Sequence, residues 1–404
     1  MPKLPAILGG EPKFDSTMDV VKTAIPPMED LLPKISTMLE SRRLSNNGAF
    51  VREFEQMVCE KLDVRNCVAT CNGTLSLVLA LNGMNLKGKV VVPSFTFCAT
   101  VHAVVWAGLE PVFADIDPET LSITPETVER VLTPDVVAVM PVTIYGSPCD
   151  VNGFQNLAET CDLKLIFDSA QGMGSAYKGH RLGGFGDAES FSVHATKIVP
   201  AGEGGLLTTD DDDLAAYLRS ARNFGVDGDS DCMIPGLNAK MAEFSAIMGI
   251  EGLKQLDSAI ENRRRLVSRY EELLRGIPGI KLQAHLPDSR TNHQNFIVII
   301  DENDFGMSRD ALSIALLAEN IRTRKYFFPP IHATTAYVGT SNGDALPFTT
   351  WASERVLSLP LHTEMSVSDV EKVCEAMGEI DRHAGEILAA SPSGRMQGRP
   401  QICF

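Results

Sequence analysis

The chain has 404 residues, 44% of them hydrophobic and 22% charged, with a formal net charge of −16 at pH 7. That length allows two or three domains of roughly 150 residues and a large core, and the composition excludes both a small peptide module and a long disordered chain. The acidic balance argues against nucleic acid as a main partner, because phosphate backbones demand basic surface, yet it permits a local cationic site for a small anion.

Residues 1–30 read as an N-terminal arm, since Pro2, Pro5, Pro12, Pro26 and Pro27 forbid a long helix. Met1 to Gly10 lacks the apolar core of a signal peptide, and no run of about 18 apolar residues could span a bilayer, so a soluble protein with no membrane partner is expected. Helices are expected over 28–40 and 50–61, the second with Phe54, Met57 and Val58 on one face. A strand at Cys67 to Thr70 leads into Cys71-Asn72-Gly73-Thr74 and then an apolar helix. That order sets backbone N–H groups and the Thr74 hydroxyl at a helix N-terminus, as an anion site or as an ordinary capped turn. The nine cysteines are scattered. Cys67 and Cys71 lack the spacing of a redox or zinc pair, so no metal is expected and a reducing cytoplasm is the simplest location.

Strand-like and helix-like segments then alternate: VVVPSFTF, CATVHAVVWAG, PVFADID, PETVERVL, VVAVMPV, GFQNLAETC and LKLIFDSAQ. Such alternation predicts an α/β fold, with a large doubly wound, mostly parallel sheet domain over 31–257 and ligands at the C-terminal strand ends. Phe97, Asp168 and Gln171 fall at such ends. An acid directly after KLIF is costly to bury unless it meets a cation or donors, although a helix cap is an alternative role for Asp168.

The stretch ESFSVHATKIVPAGEGG, Glu189 to Gly205, presents Lys197 in a loop. An alternating lead-in (Phe191, Val193) suggests a short strand, Ser192 and Thr196 place hydroxyls around His194, and Gly202, Gly204 and Gly205 loosen the backbone beyond. Lysine is the side chain whose pKa falls most readily on burial, which condensation with a carbonyl requires.

Asp210 to Asp213 reads as a solvated turn opening a helix. A helix over 239–256 follows, with Met241, Phe244, Ile247 and Met248 on one stripe, then a long charged helix from Ser258 to Gly276. Its Arg263, Arg264 and Arg265 read as a solvated face, with a phosphate contact as the alternative. From Gly279 the pattern changes to α+β, giving a smaller C-terminal domain over 258–390 and a mobile tail at 391–404.

Together these pieces specify one cofactor. An anion site (Gly73, Thr74, Ser192), a stacking ring (Phe97), a carboxylate (Asp168) and an amine (Lys197) match the phosphate, aromatic ring, ring nitrogen and aldehyde of pyridoxal 5'-phosphate. A carboxylate ~3 Å from the ring nitrogen at an effective dielectric of ~20 favours its protonated form by roughly 5 kcal/mol. The blocks NGT, VPSFTF, PVFADIDPETLSI, YGSPCD, DSAQGMGSAYKG, HATK with GEGG, LNAKMAEFSAIMG and TRKYFFPPIH resemble, in order and spacing from about residue 45 to 385, those of the DegT/StrS family of sugar aminotransferases. The resemblance implies the fold-type I aminotransferase architecture, with Lys197 as the Schiff-base lysine, Asp168 as partner of the pyridinium and Gln171 as neighbour of the ring oxygen. It also implies Gly73, Thr74 and Ser192 on the phosphate, Phe97 over the ring, and Asn238 reaching the phosphate in the neighbouring subunit of a homodimer. His194, Arg324, Tyr326 and His332 are expected around the substrate, with Arg322, Arg324 and Lys325 as candidate cations for a diphosphate.

Departures from the family pattern are Val193, where an aromatic is common, and Ser169, where alanine is usual. Lys197 stands where dehydrating relatives carry histidine, so transamination is expected. The expected reaction passes nitrogen from L-glutamate to the C4 ketone of a nucleotide-linked 4-keto-6-deoxyhexose by a ping-pong cycle. A keto-cyclitol substrate is the alternative, distinguished by whether activity needs the nucleotide diphosphate. A non-catalytic regulator of the same fold gives no reason to keep Lys197, Asp168 and Gln171 together.

Overall fold

The computed structural model describes residues 4–227, 231–340 and 346–390, so the expected tail at 391–404 lies outside the described residues. In chain order the first elements are α1 (Met28–Ser41), α2 (Ala49–Leu62), β1 (Asn66–Thr70), α3 (Gly73–Gly83), β2 (Lys89–Pro93), α4 (Cys98–Trp106), β3 (Glu110–Ala114), α5 (Pro125–Glu129) and β4 (Val136–Val139). Next come α6 (Val151–Cys161), β5 (Lys164–Asp168), β6 (Ala176–Tyr177), β7 (His180–Arg181), β8 (Ala188–Ser192), β9 (Gly205–Thr209), α7 (Asp212–Ala221), β10 (Val226–Asp227), β11 (Asp231–Cys232), α8 (Glu243–Lys254) and α9 (Leu256–Leu274). The remainder is β12 (Ile280–Leu282), β13 (Ser289–Arg290), β14 (Phe296–Ile300), α10 (Glu302–Phe305), α11 (Arg309–Ala318), α12 (Pro347–Arg355), β15 (Val356–Leu359), α13 (Val367–Arg382) and α14 (Ala384–Ala390).

Short apolar runs such as Val90 to Val92 and Leu165 to Phe167 are buried, as strands of a sheet covered by helices must be. They form a seven-stranded sheet in the order β1-β9-β8-β5-β4-β2-β3. β9 is antiparallel to both neighbours, and the other pairs are parallel. The register matters for function. Thr70 at the end of β1 and Ser192 at the end of β8 both pair with Gly205, while Asp168 at the end of β5 pairs with Ser190. The C-terminal ends of β1, β5 and β8 therefore meet at one edge, and the loops after them share a cleft.

A second, three-stranded antiparallel sheet, β12-β14-β15, builds the C-terminal core with α9, α11 and α13. Its central strand serves two cores by simple alternation: Phe296, Val298 and Ile300 pack in the second core, and Ile297 and Ile299 in the first. The arm does not lie free. Phe14 is in the second core, Met18 bridges Ile321, and the Glu319 carboxylate accepts from the N–H groups of Ala6 at 2.7 Å and Lys13 at 3.0 Å. Lys13 also pairs with Glu379 at 2.8 Å.

Two readings need correction. Arg263 is not on a solvated face: it is buried and donates to the carbonyls of His293 at 2.9 Å and Gln294 at 3.0 Å. Only Arg264 and Arg265 of that triplet lie on the outer side, bonded to Glu261 and Asn262 of their own helix. The helix expected from Ala239 begins at Glu243, because residues 238–240 instead bridge Asn223 and Thr70 in extended conformation. On its stripe Met241 and Ile247 are buried, but Phe244 is 45% exposed.

Glu243 explains how α2 starts. The residue before that helix is Gly48, which has no side chain to cap it, and the N–H groups of Phe50 and Val51 donate to the buried Glu243 carboxylate at 2.9 and 3.2 Å. A carboxylate from a distant helix thus does the work of an N-cap, aided by the helix dipole. A β-carbon on Gly48 would lie 2.5 Å from that carboxyl carbon. Glu243→Ala and Gly48→Ala are each expected to destabilise by about 1–2 kcal/mol in urea unfolding. Because both act on one contact, the double variant should lose clearly less than the sum of the two.

Candidate active site

The cleft at the shared strand edge is built from three loops. In the first, Asn72 caps α3 by accepting from the N–H of Leu75 at 2.9 Å, which leaves Gly73 and Thr74 in the first turn of a helix with its donors toward the cleft edge. Ser192 lies against this turn: a β-carbon on Gly73 would come within 3.3 Å of Ser192 Cβ. Gly205 passes closer still, since its own β-carbon would meet the backbone nitrogen of Gly73 at 2.6 Å. Only glycine there lets β9 approach the turn.

In the second loop, Asp168 ends β5 as a buried side chain. Its Oδ2 accepts from the Thr100 hydroxyl at 2.7 Å and its Oδ1 from the N–H of Ala170 at 3.1 Å; Thr100 in turn meets the Thr96 hydroxyl at 2.8 Å. Burial raises the Asp168 pKa above the usual carboxylate value, and the Thr100 and Ala170 bonds, then the charge of Lys197, act against that rise. Among the described residues Asp168 forms no ion pair within 4.0 Å.

Lys197 stands in the third loop, folded back on itself by bonds from Val193 N–H to Gly204 O (3.0 Å), Ala195 N–H to Gly202 O (2.8 Å) and Lys197 N–H to His194 O (2.8 Å). The side chain is only half-buried, yet enough protein surrounds the amine that desolvation brings its pKa down to about 8, against the opposing pull of Asp168. The two groups carry opposite charges, and the same dry surroundings press each toward its neutral form.

Other expected residues join them through identifiable contacts. Gln171 Oε1 accepts from the N–H of Tyr145 at 2.6 Å, and Gln171 Nε2 donates to Asn295 Oδ1 at 3.3 Å. Tyr145 stacks on Phe327 at 6.1 Å between centroids, and its hydroxyl donates to the carbonyl of Tyr326. Phe97, half exposed just ahead of α4, lies 6.5 Å from the same Phe327 ring. Gln171, Tyr326 and Phe97 thus belong to one cluster around Tyr145 and Phe327.

Four expected residues make contacts of their own outside this aromatic cluster. Asn238 is exposed, and its Oδ1 accepts from Lys240 at 2.7 Å. His194 meets the Thr196 hydroxyl at 2.9 Å and Glu203 at 3.7 Å. Arg324 is half-buried, its backbone bridging Ser358. His332 shares a 2.7 Å hydrogen bond with Ser94, and burial lowers its pKa. The cations expected for a diphosphate already meet acids: Arg322 pairs with Asp19 and Lys325 with Asp310, both at 2.8 Å.

Sequence reasoning missed Thr100, Tyr145 and Gln294. Thr100 sits within an apolar helix and carries no signal of its own. Tyr145 has φ 56°, a left-handed conformation uncommon for a bulky residue. The following Gly-Ser-Pro announces a turn but not that geometry. Among the described residues no group of His, Cys, Asp and Glu side chains could hold a metal ion, and no helix is long and apolar enough to cross a membrane.

Comparison with known proteins supplies the context for this geometry. A dTDP-4-amino-4,6-dideoxy-D-glucose transaminase of Escherichia coli is 32% identical over 366 residues, covering 90% of this chain and 98% of the relative. A GDP-perosamine synthase of Caulobacter vibrioides is 32% identical over 348 residues, 85% of this chain and 93% of the relative. The crystal structure of DesI in the presence of its TDP-sugar product superposes with a TM-score of 0.90 at 40% identity, covering 95% of this chain and 98% of that one. The family model for the DegT/DnrJ/EryC1/StrS aminotransferases matches residues 28–378. With a half-buried loop lysine beside a buried strand-end aspartate, and with these matches along nearly its whole length, the chain belongs to the DegT/DnrJ/EryC1/StrS aminotransferase family.

Proposed function

We propose that this aminotransferase uses pyridoxal 5'-phosphate to move nitrogen from L-glutamate to the C4 ketone of a nucleotide-linked 4-keto-6-deoxyhexose. The observation that carries the reading is the placement of Lys197 within electrostatic reach of the buried Asp168, next to the first turn of α3 against which Ser192 lies. The residues present fit the cofactor. Asp168 is a buried acid with two hydrogen-bond donors and no ion pair, so a protonated ring nitrogen completes its surroundings. When bound, the cofactor supplies an electron sink that lets bonds at an amine-bearing carbon ionise.

The chain's own residues then divide the work. The N–H groups of Gly73 and Thr74, with the Thr74 and Ser192 hydroxyls, bind the phosphate. Phe97 would cover the ring, and Asp168 would keep a proton on its nitrogen. Gln171 has committed Oε1 to Tyr145, which leaves Nε2, on its longer 3.3 Å bond, to turn toward the ring oxygen. Lys197 Nζ holds and moves the proton in both half-reactions, in which glutamate leaves as 2-oxoglutarate and the sugar C4 is reduced from ketone to amine.

The names of the relatives support the substrate class, because the E. coli transaminase is named for a sugar with nitrogen at C4 and a deoxy C6, and DesI was crystallised with a TDP-sugar. The nucleotide is left open, since the C. vibrioides relative is named for a GDP-sugar. Arg324, His194, Tyr326 and His332 remain the proposed substrate contacts.

A homodimer with shared sites completes the proposal. Ile25, Met28, Leu32 and Leu39 on the arm and α1, with Leu44 and Phe244, expose apolar surface that a second copy would cover. Asn238, being exposed, is available to a neighbour.

Three outcomes are expected. Cofactor-free protein should capture pyridoxal phosphate at Lys197, trapped by borohydride and located by peptide mapping, with a rate rising through about pH 8. The sign follows from the lowered pKa: half the amine is neutral near pH 8, whereas an ordinary lysine has under about one per cent neutral there. With glutamate as donor, 2-oxoglutarate and amino-sugar should appear in equal amounts with parallel double-reciprocal lines. A free keto-cyclitol that works where every keto-sugar nucleotide fails would shift the reading to that substrate. Finally, mixing Lys197→Ala with Asn238→Ala subunits should restore activity above either parent, since a heterodimer collects both intact residues in one of its two sites. No restoration after verified subunit exchange would place Asn238 in its own subunit's site.

A further inference from the structure

Gln294 is 3% exposed, and its side chain spans the lysine of the cleft. Its Oε1 accepts from the N–H of Ile198 at 3.0 Å, and its Nε2 donates to the carbonyl of Thr196 at 2.9 Å. The peptide groups immediately before and after Lys197 are thus held by one amide. Only a side chain with a donor and an acceptor at the same end can make both bonds.

Gln294 is itself held on every side. Its N–H donates to Asn292 Oδ1 at 2.8 Å, and its carbonyl accepts from buried Arg263 at 3.0 Å. Asn292 Nδ2 reaches across to the carbonyls of Gln171 at 2.8 Å and Met173 at 2.9 Å, on the turn that follows Asp168. Asn295 Oδ1 receives the side chain of Gln171 at 3.3 Å, and the next residue begins β14. One five-residue segment, Thr291 to Asn295, therefore touches the loop of Lys197 and the loop of Asp168 just ahead of the central strand of the second sheet.

We propose that Gln294 is a positioning residue for Lys197, fixing the backbone on both sides of the amine so that it stays in the cleft opposite Asp168 and registering that loop against β14. The proposal rests on the reading of Lys197 as the lysine that takes the cofactor. It goes beyond that reading in tying the reacting amine to the second sheet. A movement of β14 relative to the first sheet would reach Lys197 through Gln294 and the Asp168 turn through Asn292 together, so the two loops stay in register.

The consequence can be measured without cofactor. If the amide bonds are removed, the 193–204 loop is released, the amine reaches more water, and the desolvation that holds its pKa near 8 relaxes. In cofactor-free protein, the pH midpoint for acetic anhydride labelling of Lys197, read by mass spectrometry, should rise by about one unit in Gln294→Met, a shape-matched change without the hydrogen bonds. Hydrogen exchange in peptides covering Ile198 should accelerate, and capture of pyridoxal phosphate at pH 7.5 should slow by about tenfold, the factor that one unit implies. Gln294→Asn keeps an amide one methylene short of its partners and should show the same direction of change, which decides the matter if the methionine variant does not fold. A folded variant with the native midpoint and native exchange overturns the proposal. Borohydride trapping on the unaltered protein separates the two claims. A cofactor adduct on a different lysine removes the functional reading, while the labelling midpoint of Lys197 still judges Gln294.

Discussion

Lys197 and Asp168 are opposite charges set in one dry cleft, and burial works against both of them. Desolvation lowers the lysine toward about 8 and raises the aspartate, while their mutual attraction and the bonds to Asp168 pull the other way. Desolvation outweighs the opposing pull on both groups without removing it, and that makes the pair chemically useful: an amine that is neutral part of the time beside an acid with a strong preference for a positive neighbour. The rest of the structure holds the loops that carry these two groups beside one another.

The fold supplies that hold in layers. Parallel strands with both faces covered place the ends of β1, β5 and β8 at one edge, and the common pairing of Thr70 and Ser192 with Gly205 brings a helix N-terminus beside the lysine loop. Thr100 and Ala170 keep the Asp168 carboxylate oriented from the first sheet. Gln294 and Asn292 hold both loops from the segment leading into the second sheet, and Arg263 bonds that segment from α9. An amide is suited to this position because it satisfies a buried N–H and a buried C=O without adding a charge that would disturb the pair.

The aromatic cluster gives the cleft its second wall. Tyr145 is held in a left-handed conformation while its N–H meets Gln171, its hydroxyl meets the carbonyl of Tyr326, and its ring stacks on Phe327. One residue with a sparsely populated backbone geometry thus joins the strand-end turn to the segment expected to face the sugar. Such conformations persist only where surrounding contacts over-determine them.

The sequence by itself determined the alternating strands and helices, the strand-end position of Asp168, the loop around Lys197 and the glycine-hydroxyl pair that opens α3. Each is a local pattern: a buried strand needs a run of apolar residues, and a helix N-terminus or a loop leaves its mark within a few positions. Tertiary structure decided the partners. Gln294 lies 97 positions from Lys197 and Thr100 lies 68 before Asp168, so nothing adjacent marks either as a support. Arg263 looked like one of three charges on a solvated helix face, yet it alone of the three turns inward, and the carbonyls of residues 293 and 294 give its charge a use. The proline-rich arm likewise carries no local mark of the contacts by which Glu319, Phe14 and Lys13 tie it to the second core. A hydrogen bond between distant segments depends on how two surfaces meet, and that is fixed only when the whole chain has packed.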